Sequence, residues 1–172
     1  GMIMLMIAYF FLTAYRDFRD NFGVEIFEQL GYGKSETAIF TRSELWVAFG
    51  VVGTLAILNL IRDNRVGLIG AFMVMTGGCC LMGAGTMWYD AGTISGLQWM
   101  IMCGLGSYLA YVPYGSVLFD RLIASTRVMG TAVFVIYIAD SIGYVGSISV
   151  MAIKDQIAGD MSRLEFFRQL TY

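Results

Sequence analysis

Long apolar runs dominate the hydrophobic pattern of the chain, and short polar stretches separate them. A membrane-spanning helix needs about 20 mostly apolar residues, and five segments approach or exceed that length. These runs exceed strand length and lack the alternation of polar and apolar positions that marks a β-strand. The predicted spans are residues 2–31, 45–61, 66–88, 94–119 and 128–153. The pattern predicts an all-α membrane protein, an up-down bundle of about five transmembrane helices.

The links between the predicted spans are short, so neighbouring helices are expected to run antiparallel. Residues 35–43 read as a loop or a short surface helix, and residues 62–65 form a tight turn. The segment 154–172 is an amphipathic tail that would lead towards a further span. No change of composition marks a domain boundary, so residues 1–172 are interpreted as a single transmembrane helical domain.

Composition supports the membrane assignment. The 172 residues are 58% hydrophobic and only 14% charged, whereas soluble domains carry about 25% charged residues. A soluble protein of this size could not cover so much apolar surface with so few charges. The chain is therefore predicted to be an integral, multi-pass membrane protein in contact with the lipid bilayer.

The sequence lacks the residues that several classes of function require. The sequence has no histidine, which excludes zinc sites that use histidine and histidine proton relays. Cys79, Cys80 and Cys103 lie in apolar runs and are predicted to be small packing residues. There is no nucleophile–base pair, phosphate-binding loop or metal-ligand cluster, so we expect no enzyme activity, no cofactor and no metal. The net charge of −2 does not indicate a nucleic-acid partner.

The first predicted helix carries charges within a segment that must cross the bilayer. Its apolar part, residues 2–15, is too short to span at 1.5 Å per residue, so the helix should continue through the charged stretch that follows. A charged group inside a span costs about 2.5–3.5 kcal/mol, so it faces protein or water and marks a candidate functional site. The candidates for a substrate or ion pathway here are Arg16, Asp17, Arg19 and Asp20.

Helical spacing places these charges on one side of the helix, together with two hydroxyl groups. Steps of four, three and four residues relate Tyr9, Thr13, Arg16 and Asp20. Arg16 and Asp20 are expected to form an i,i+4 ion pair. A charged lining of a polar cavity is the favoured interpretation. Two alternatives stay open: an ion-pair network that only fixes the helix against its neighbours, and a membrane boundary near Tyr15 that leaves the charges at the interface.

Asp140 is the second candidate, near the middle of the last predicted span. An acid at that depth is either paired with a cation, for which Arg16 and Arg19 are the candidates, or protonated. Tyr137 and Tyr144 have the helical spacing to flank it. Either charge state would suit proton or cation coupling, and the alternative is a static buried pair.

The fourth predicted span combines a proline with three tyrosines. Pro113 removes a helix hydrogen bond and is expected to produce a kink. Tyr111 and Tyr114, with Tyr108 one turn earlier, are candidates for the pathway because kinks and tyrosine hydroxyls occur around substrate paths. Plain packing explains them equally well.

Three sequence features resemble a known transporter family. The turn Arg62-Asp63-Asn64-Arg65-Val66-Gly67 resembles the cytoplasmic loop motif of the major facilitator superfamily, although it lacks that motif's internal glycine. The polar first helix resembles the seventh helix of these transporters, and the spacing of the spans resembles their C-terminal half. Residues 13–22 look like an uncharacterised bacterial branch of that superfamily, a domain of unknown function.

The resemblance implies a membrane topology and a carrier that is built from two halves. The chain would supply helices seven to eleven of a twelve-helix carrier in the inner membrane of a bacterium. Arg62, Asp63 and Arg65 would form the cytoplasmic loop motif. The N-terminal transporter half and the last helix would lie outside this chain, and alternating access would need that other half.

The leading hypothesis is a fragment of a secondary active transporter that moves a small polar or charged solute, with proton coupling as a further option. The alternative is a non-transporting membrane scaffold or sensor with the same fold. Arginine and aspartate on one face argue against a solute that is purely anionic or purely cationic. The expected partners are the lipid bilayer, the solute and the missing transporter half.

Overall fold

Helices account for most of the chain. A computed structural model describes residues 2–33, 37–126, 132–156 and 159–172. The helices are α1 (Met2–Gln29), α2 (Thr37–Leu60), α3 (Asn64–Asp90), α4 (Gly96–Pro113), α5 (Phe119–Thr126), α6 (Ala132–Gln156) and α7 (Arg163–Thr171). A π-helical segment, Tyr114–Leu118, joins α4 to α5 without a break. No β-strand occurs in the part of the chain that is described, and the predicted all-α membrane bundle is confirmed.

Four helical stretches are long and apolar enough to cross a bilayer. They are Ala38–Leu60, Asn64–Asp90, Gly96–Ala124 and Val133–Gln156. Large apolar side chains on these stretches, such as Phe49 and Ile148, are exposed on the outside of the bundle. An exposed apolar surface of this kind needs an apolar environment. The chain is therefore a multi-pass integral membrane protein whose outer surface contacts lipid.

The first helix differs from these four in its charged second half. Its 28 residues correspond to about 42 Å at 1.5 Å per residue, more than the hydrocarbon core of a bilayer. That α1 spans the membrane stays a prediction based on its length. The helix ends close to the predicted position: Gly31 has a φ of 90°, and the Tyr32 N–H donates to the Phe27 carbonyl at 3.0 Å. Glycine is favoured there because its backbone conformation is left-handed.

Two predicted boundaries need correction. Residues 37–43 belong to α2, not to a loop or a separate surface helix; residues 35 and 36 lie outside the described residues. The first turns of this helix contain polar residues, so the hydropathy pattern does not reveal them. Hydropathy reports exposure to lipid rather than backbone conformation. Ser43 is buried, and Phe40 packs against Gly23 of α1. At the other end, α6 continues to Gln156, beyond the predicted limit of 153, while residues 128–131 are not described.

Two helix pairs form the most extensive interfaces of the bundle, α3 with α4 and α1 with α6. The first pair is antiparallel and very close: a Cβ added to Gly78 would lie 2.5 Å from the Gly106 carbonyl oxygen. The second pair is parallel, since Tyr9 meets Asp140 and Asp17 meets Ser147 further along both helices. The bundle therefore brings the polar face of α1 onto the face of α6 that carries Asp140.

The cysteines divide between the inside and the outside of the bundle. Cys103 is fully buried in α4, which confirms the predicted packing role. Cys79 and Cys80 are exposed on α3. The packing prediction was therefore wrong for these two, because an apolar run does not show which of its positions face lipid.

The C-terminal tail folds back onto the bundle. The Ser162 side chain caps α7 by accepting a hydrogen bond from the Glu165 N–H at 3.1 Å. Phe167 is fully buried and contacts the rings of Tyr15 and Trp99. The predicted amphipathic character of the tail is thus explained: its apolar side packs against α1 and α4, and its charged side is exposed.

Candidate functional site

The polar face of α1 lies at the meeting point of α2, α4 and α6. Each of these helices contributes a side chain that bonds to a polar group of α1. The polar groups form three clusters, which we name after α1 residues: the Tyr9, the Arg16 and the Arg19 cluster. Their α1 residues span ten positions, or about 15 Å along the helix axis.

The Tyr9 cluster contains Asp140. The Tyr9 hydroxyl hydrogen-bonds to the Asp140 carboxylate, and its oxygen lies 3.0 Å from the Tyr111 hydroxyl. The predicted pairing of Asp140 with Arg16 or Arg19 was therefore wrong. Parallel packing of α1 and α6 places Asp140 at the level of Tyr9, about two turns before Arg16 and nearly three turns before Arg19.

The tyrosines predicted to flank Asp140 lie elsewhere. Tyr137 and Tyr144 are both largely exposed on α6. Tyr9 and Tyr111 take their place and come from α1 and α4. Helical spacing identifies neighbours only within one helix, so the residues that contact Asp140 could not be derived from its own sequence context.

The Arg16 cluster is a local ion pair that extends to α6. The Arg16 Nε and Nη2 atoms lie 2.9 and 2.5 Å from Oδ1 of Asp17. The other Asp17 oxygen accepts a hydrogen bond from Ser147 at 2.5 Å, and the Arg16 guanidinium lies 4.0 Å from the Tyr111 ring centroid. Such a cation–π contact attracts the guanidinium to the face of the ring. The side chains of Arg16 and Asp17 remain 17% and 18% exposed, so both reach the open side of the face.

The predicted i,i+4 pair between Arg16 and Asp20 does not form. Asp20 instead contacts Arg19 at 3.2 Å and accepts a hydrogen bond from the Tyr108 hydroxyl at 2.7 Å. An ion pair between side chains four residues apart on a helix contributes only about 0.2–0.5 kcal/mol. The hydrogen bond from Tyr108 of α4 to Asp20 therefore outweighs the predicted pair.

The Arg19 cluster is the most buried part of the face. The Arg19 side chain is fully buried, and its Nη2 donates to Glu44 at 2.7 Å and to the Met100 carbonyl at 3.1 Å. Gly104 makes room for it, because any side chain at that position would overlap the guanidinium. Arg19 therefore holds two carboxylates, those of Asp20 and Glu44, in place and does not itself face the open side.

Glu44 is a site residue that the sequence reasoning missed. The predicted loop ended at residue 43 and the next span began at residue 45, so Glu44 was assigned to neither. The continuous α2 helix places its carboxylate against Arg19. Its position could have identified it as a candidate, because Glu44 is an acid at the edge of an apolar run, one turn before Val47.

The two remaining pathway candidates in the fourth span differ in exposure. Tyr111 is half-buried and contacts both Tyr9 and Arg16. Tyr114 is buried and packs edge-on against Tyr9, with ring centroids 4.9 Å apart. Directly after Pro113 the helix widens into the π-helical segment, which is where a missing backbone donor is expected to disturb the helical ladder. Tyr111 thus contributes to the open face, and Tyr114 supports it from behind.

The candidate loop motif forms a helix cap. Asp63 accepts hydrogen bonds at 2.9 Å from the N–H groups of Arg65 and Val66, and these bonds lower the pKa of its carboxyl group. Arg121 of α5 donates to the Ile61 carbonyl at 2.7 Å, so it binds the exposed end of α2. Arg62 and Arg65 are exposed. The turn therefore holds the ends of α2, α3 and α5 together. Arg121 is the partner in these contacts that sequence reasoning missed.

Replacing Asp63 by alanine is expected to lower the midpoint of thermal unfolding, because α3 loses its cap. Asp63→Asn should retain most of the stability, since asparagine caps about as well. The lowered pKa means that the cap contributes fully above the ordinary carboxyl pKa and is lost as pH falls through the folded-state pKa. Circular dichroism melts should show a gap in midpoint between wild type and Asp63→Ala near neutral pH, and this gap should begin to narrow as the pH falls below about 4. Equal midpoints at neutral pH would contradict this role.

The three clusters together give the face an excess of negative charge. The carboxylates are those of Asp17, Asp20, Glu44 and Asp140, and the guanidinium groups are those of Arg16 and Arg19. Among the described residues, no group of three or more acidic or cysteine side chains could hold a metal ion. The arrangement leaves the charged side chains of Arg16, Asp17 and Asp20 partly exposed on this face, while Arg19 is buried.

Comparison with known proteins assigns the chain to a family whose function is unknown. Residues 1–172 match the family described as "Family of unknown function (DUF5690)". No curated protein matches the chain, and no solved structure matches it.

Proposed function

We propose that this chain, which belongs to the DUF5690 family, is part of a secondary active transporter. In this proposal the polar face of α1 lines the path of a small polar or charged solute. The rest of the path would come from a second, N-terminal half, as in the major facilitator superfamily, and a last helix would follow this chain. The bacterial inner membrane is the proposed location.

The observation that carries the proposal is the position of the charges. Arg16, Asp17 and Asp20 lie on a helix whose neighbours are long enough to span a bilayer, and all three side chains are partly exposed. A charge that only stabilised the fold would be expected to be fully enclosed, since lipid contact costs several kcal/mol. The partial exposure of these charges therefore supports the proposal that this face of α1 lines a polar path.

Asp140 is the proposed site of proton coupling. When it is ionised, the Tyr9 hydroxyl donates a hydrogen bond to it. A proton on Asp140 would remove the negative charge and weaken that bond, because neutral hydrogen bonds are about half as strong as charge-assisted ones. The loosened contact lies between α1 and α6, so protonation at this point would favour a different packing of the two helices.

A second candidate function is a membrane scaffold or sensor that does not transport. One observation favours it: the charged groups of the face already have partners within the chain, such as Asp17 for Arg16 and Glu44 for Arg19. A compensated network of this kind can fix helix positions without binding a solute.

Uptake into proteoliposomes distinguishes the two functions. The full-length protein would be tested under an imposed proton gradient with labelled amino acids, sugars, carboxylic acids and amines. If the proposal is correct, Asp140→Asn abolishes gradient-driven accumulation, and Arg16→Ala reduces uptake by at least about tenfold, because each removes a charge from the path. Asp155→Asn, an exposed acid on the same helix as Asp140, serves as the matched control.

Two results would count against the proposal. Normal transport by both variants would remove Asp140 and Arg16 from the path. An absence of uptake across the whole panel, with correctly folded protein in the vesicles, would favour the scaffold or sensor.

A further inference from the structure

A cleft between α2 and α4 opens beside the Arg19 cluster. Its volume is about 410 Å³, within the range of small-molecule sites. Glu44 and Tyr108 form its polar end, and the valines at 47, 51, 52 and 112 form most of its walls. We call this space the α2–α4 cleft. The cleft thus has one polar end and an apolar body.

The polar end of the cleft has more negative than positive charge. Arg19 carries one positive charge, which two carboxylates share: Glu44 at 2.7 Å and Asp20 at 3.2 Å. The side chains of Glu44 and Asp20 are 27% and 31% exposed, whereas Arg19 is completely buried. Of these three charged groups, the Glu44 carboxylate lines the cleft, and the buried Arg19 guanidinium does not.

The hydrogen-bonding groups at this end are acceptors. The Tyr108 hydroxyl uses its proton to donate to Oδ2 of Asp20, which leaves its oxygen as an acceptor. Arg19 donates to Glu44, to Asp20 and to the Met100 carbonyl, all on the protein side. A ligand at this end would have to supply hydrogen-bond donors and a positive charge, as an ammonium group does.

We propose that the α2–α4 cleft binds a small organic ammonium ion with an apolar body. The ammonium group would bind between Glu44 and Tyr108, and the apolar part would pack against the valine walls. This inference rests on the proposed function, since it names the class of solute that the transporter would carry. It replaces the sequence-based expectation against a purely cationic solute, because the buried Arg19 does not line the cleft and Glu44 does. A carboxylate would meet the excess negative charge, and a neutral alcohol would leave that charge uncompensated.

Isothermal titration calorimetry on the full chain in detergent tests the inference without requiring transport. The probes are phenethylammonium, 3-phenylpropionate and 2-phenylethanol, which have similar apolar bodies and different charges. We expect the ammonium ion to bind at least about tenfold more tightly than the other two, a difference of roughly 1.4 kcal/mol. Glu44→Gln should weaken ammonium binding by a similar factor.

A second pair of variants tests the cleft itself in case Glu44→Gln disturbs Arg19 and prevents folding. Val52→Trp places a large ring in the cleft at a position that is already exposed, and it should abolish binding while the unfolding midpoint stays unchanged. Ile57→Trp, at an exposed position of the same helix outside the cleft lining, is the control and should bind normally.

Three results overturn the inference: equal binding of all three probes, tighter binding of the carboxylate, or ammonium binding that survives Val52→Trp. Its failure can be distinguished from failure of the proposed function. Uptake of another solute without ammonium binding in the cleft would contradict only the ligand class. Ammonium binding with no uptake of any solute in the panel would contradict transport and retain the binding site.

Discussion

Replacing Arg19 by methionine is expected to destabilise the chain by about 3–5 kcal/mol, because removal of one partner leaves buried charges uncompensated. Methionine fills a similar volume, so the effect comes from charge rather than from a cavity. Asp20 and Glu44 would lose their common counter-ion, and the Met100 carbonyl would lose its donor. Thermal unfolding of the detergent-solubilised chain, followed by circular dichroism, measures the loss.

Two further variants show whether the effect arises from the cluster. Arg168→Met removes an exposed arginine that lies 3.6 Å from Asp90, and it should cost less than about 1 kcal/mol. The triple variant Arg19→Met, Asp20→Asn, Glu44→Gln should recover part of the loss, because the orphaned charges are removed as well. If Arg19→Met unfolds at the wild-type midpoint, the cluster does not hold α1, α2 and α4 together.

Replacing Gly78 by alanine is expected to cost at least about 2 kcal/mol, because the added methyl group overpacks the interface between α3 and α4. A Cβ atom there would lie 2.5 Å from the Gly106 carbonyl oxygen and 2.9 Å from the Ala110 nitrogen. Both neighbours are backbone atoms, so no side chain can move aside and the two helices must separate. The unfolding midpoint should therefore fall.

The adjacent glycine provides a matched control. A Cβ atom on Gly77 would have no neighbour within 4 Å, so Gly77→Ala should be neutral or stabilising by up to about 1 kcal/mol through helix propensity. Both variants add the same methyl group to the same helix. If Gly77→Ala and Gly78→Ala lost the same stability, the close contact between α3 and α4 would not be the cause of the loss in Gly78→Ala.

The bounds of α1 and α3 were predictable to within a few residues, because hydropathy reports directly on lipid exposure. Residues 66–88 were predicted as a span, and α3 extends from Asn64 to Asp90. The pattern failed at Thr37–Ser43, where polar residues begin α2. Hydropathy marks the part of a helix in lipid and misses the turns that extend beyond it or pack against another helix.

Most charged members of the candidate site were predictable, with Glu44 as the exception, and their pairings were much less so. The charges of α1 and Asp140 stood out because charges are costly in a bilayer. Their partners came from other helices: Tyr9 for Asp140, Glu44 for Arg19 and Ser147 for Asp17. Pairing within one helix predicted the Arg16–Asp20 contact, and charge complementarity between helices suggested Asp140 with Arg16 or Arg19; neither contact forms.

The sequence by itself determined that this protein is a membrane-embedded helical bundle with a charged first helix, since the cost of exposing apolar side chains to water and charged side chains to lipid depends on residue type alone. Only the tertiary structure decided which charges meet. The parallel packing of α1 and α6 places Asp140 beside Tyr9, and the meeting of α2 with α4 encloses Arg19 between two carboxylates. These contacts depend on the relative height and rotation of separate helices, which side-chain packing between them sets.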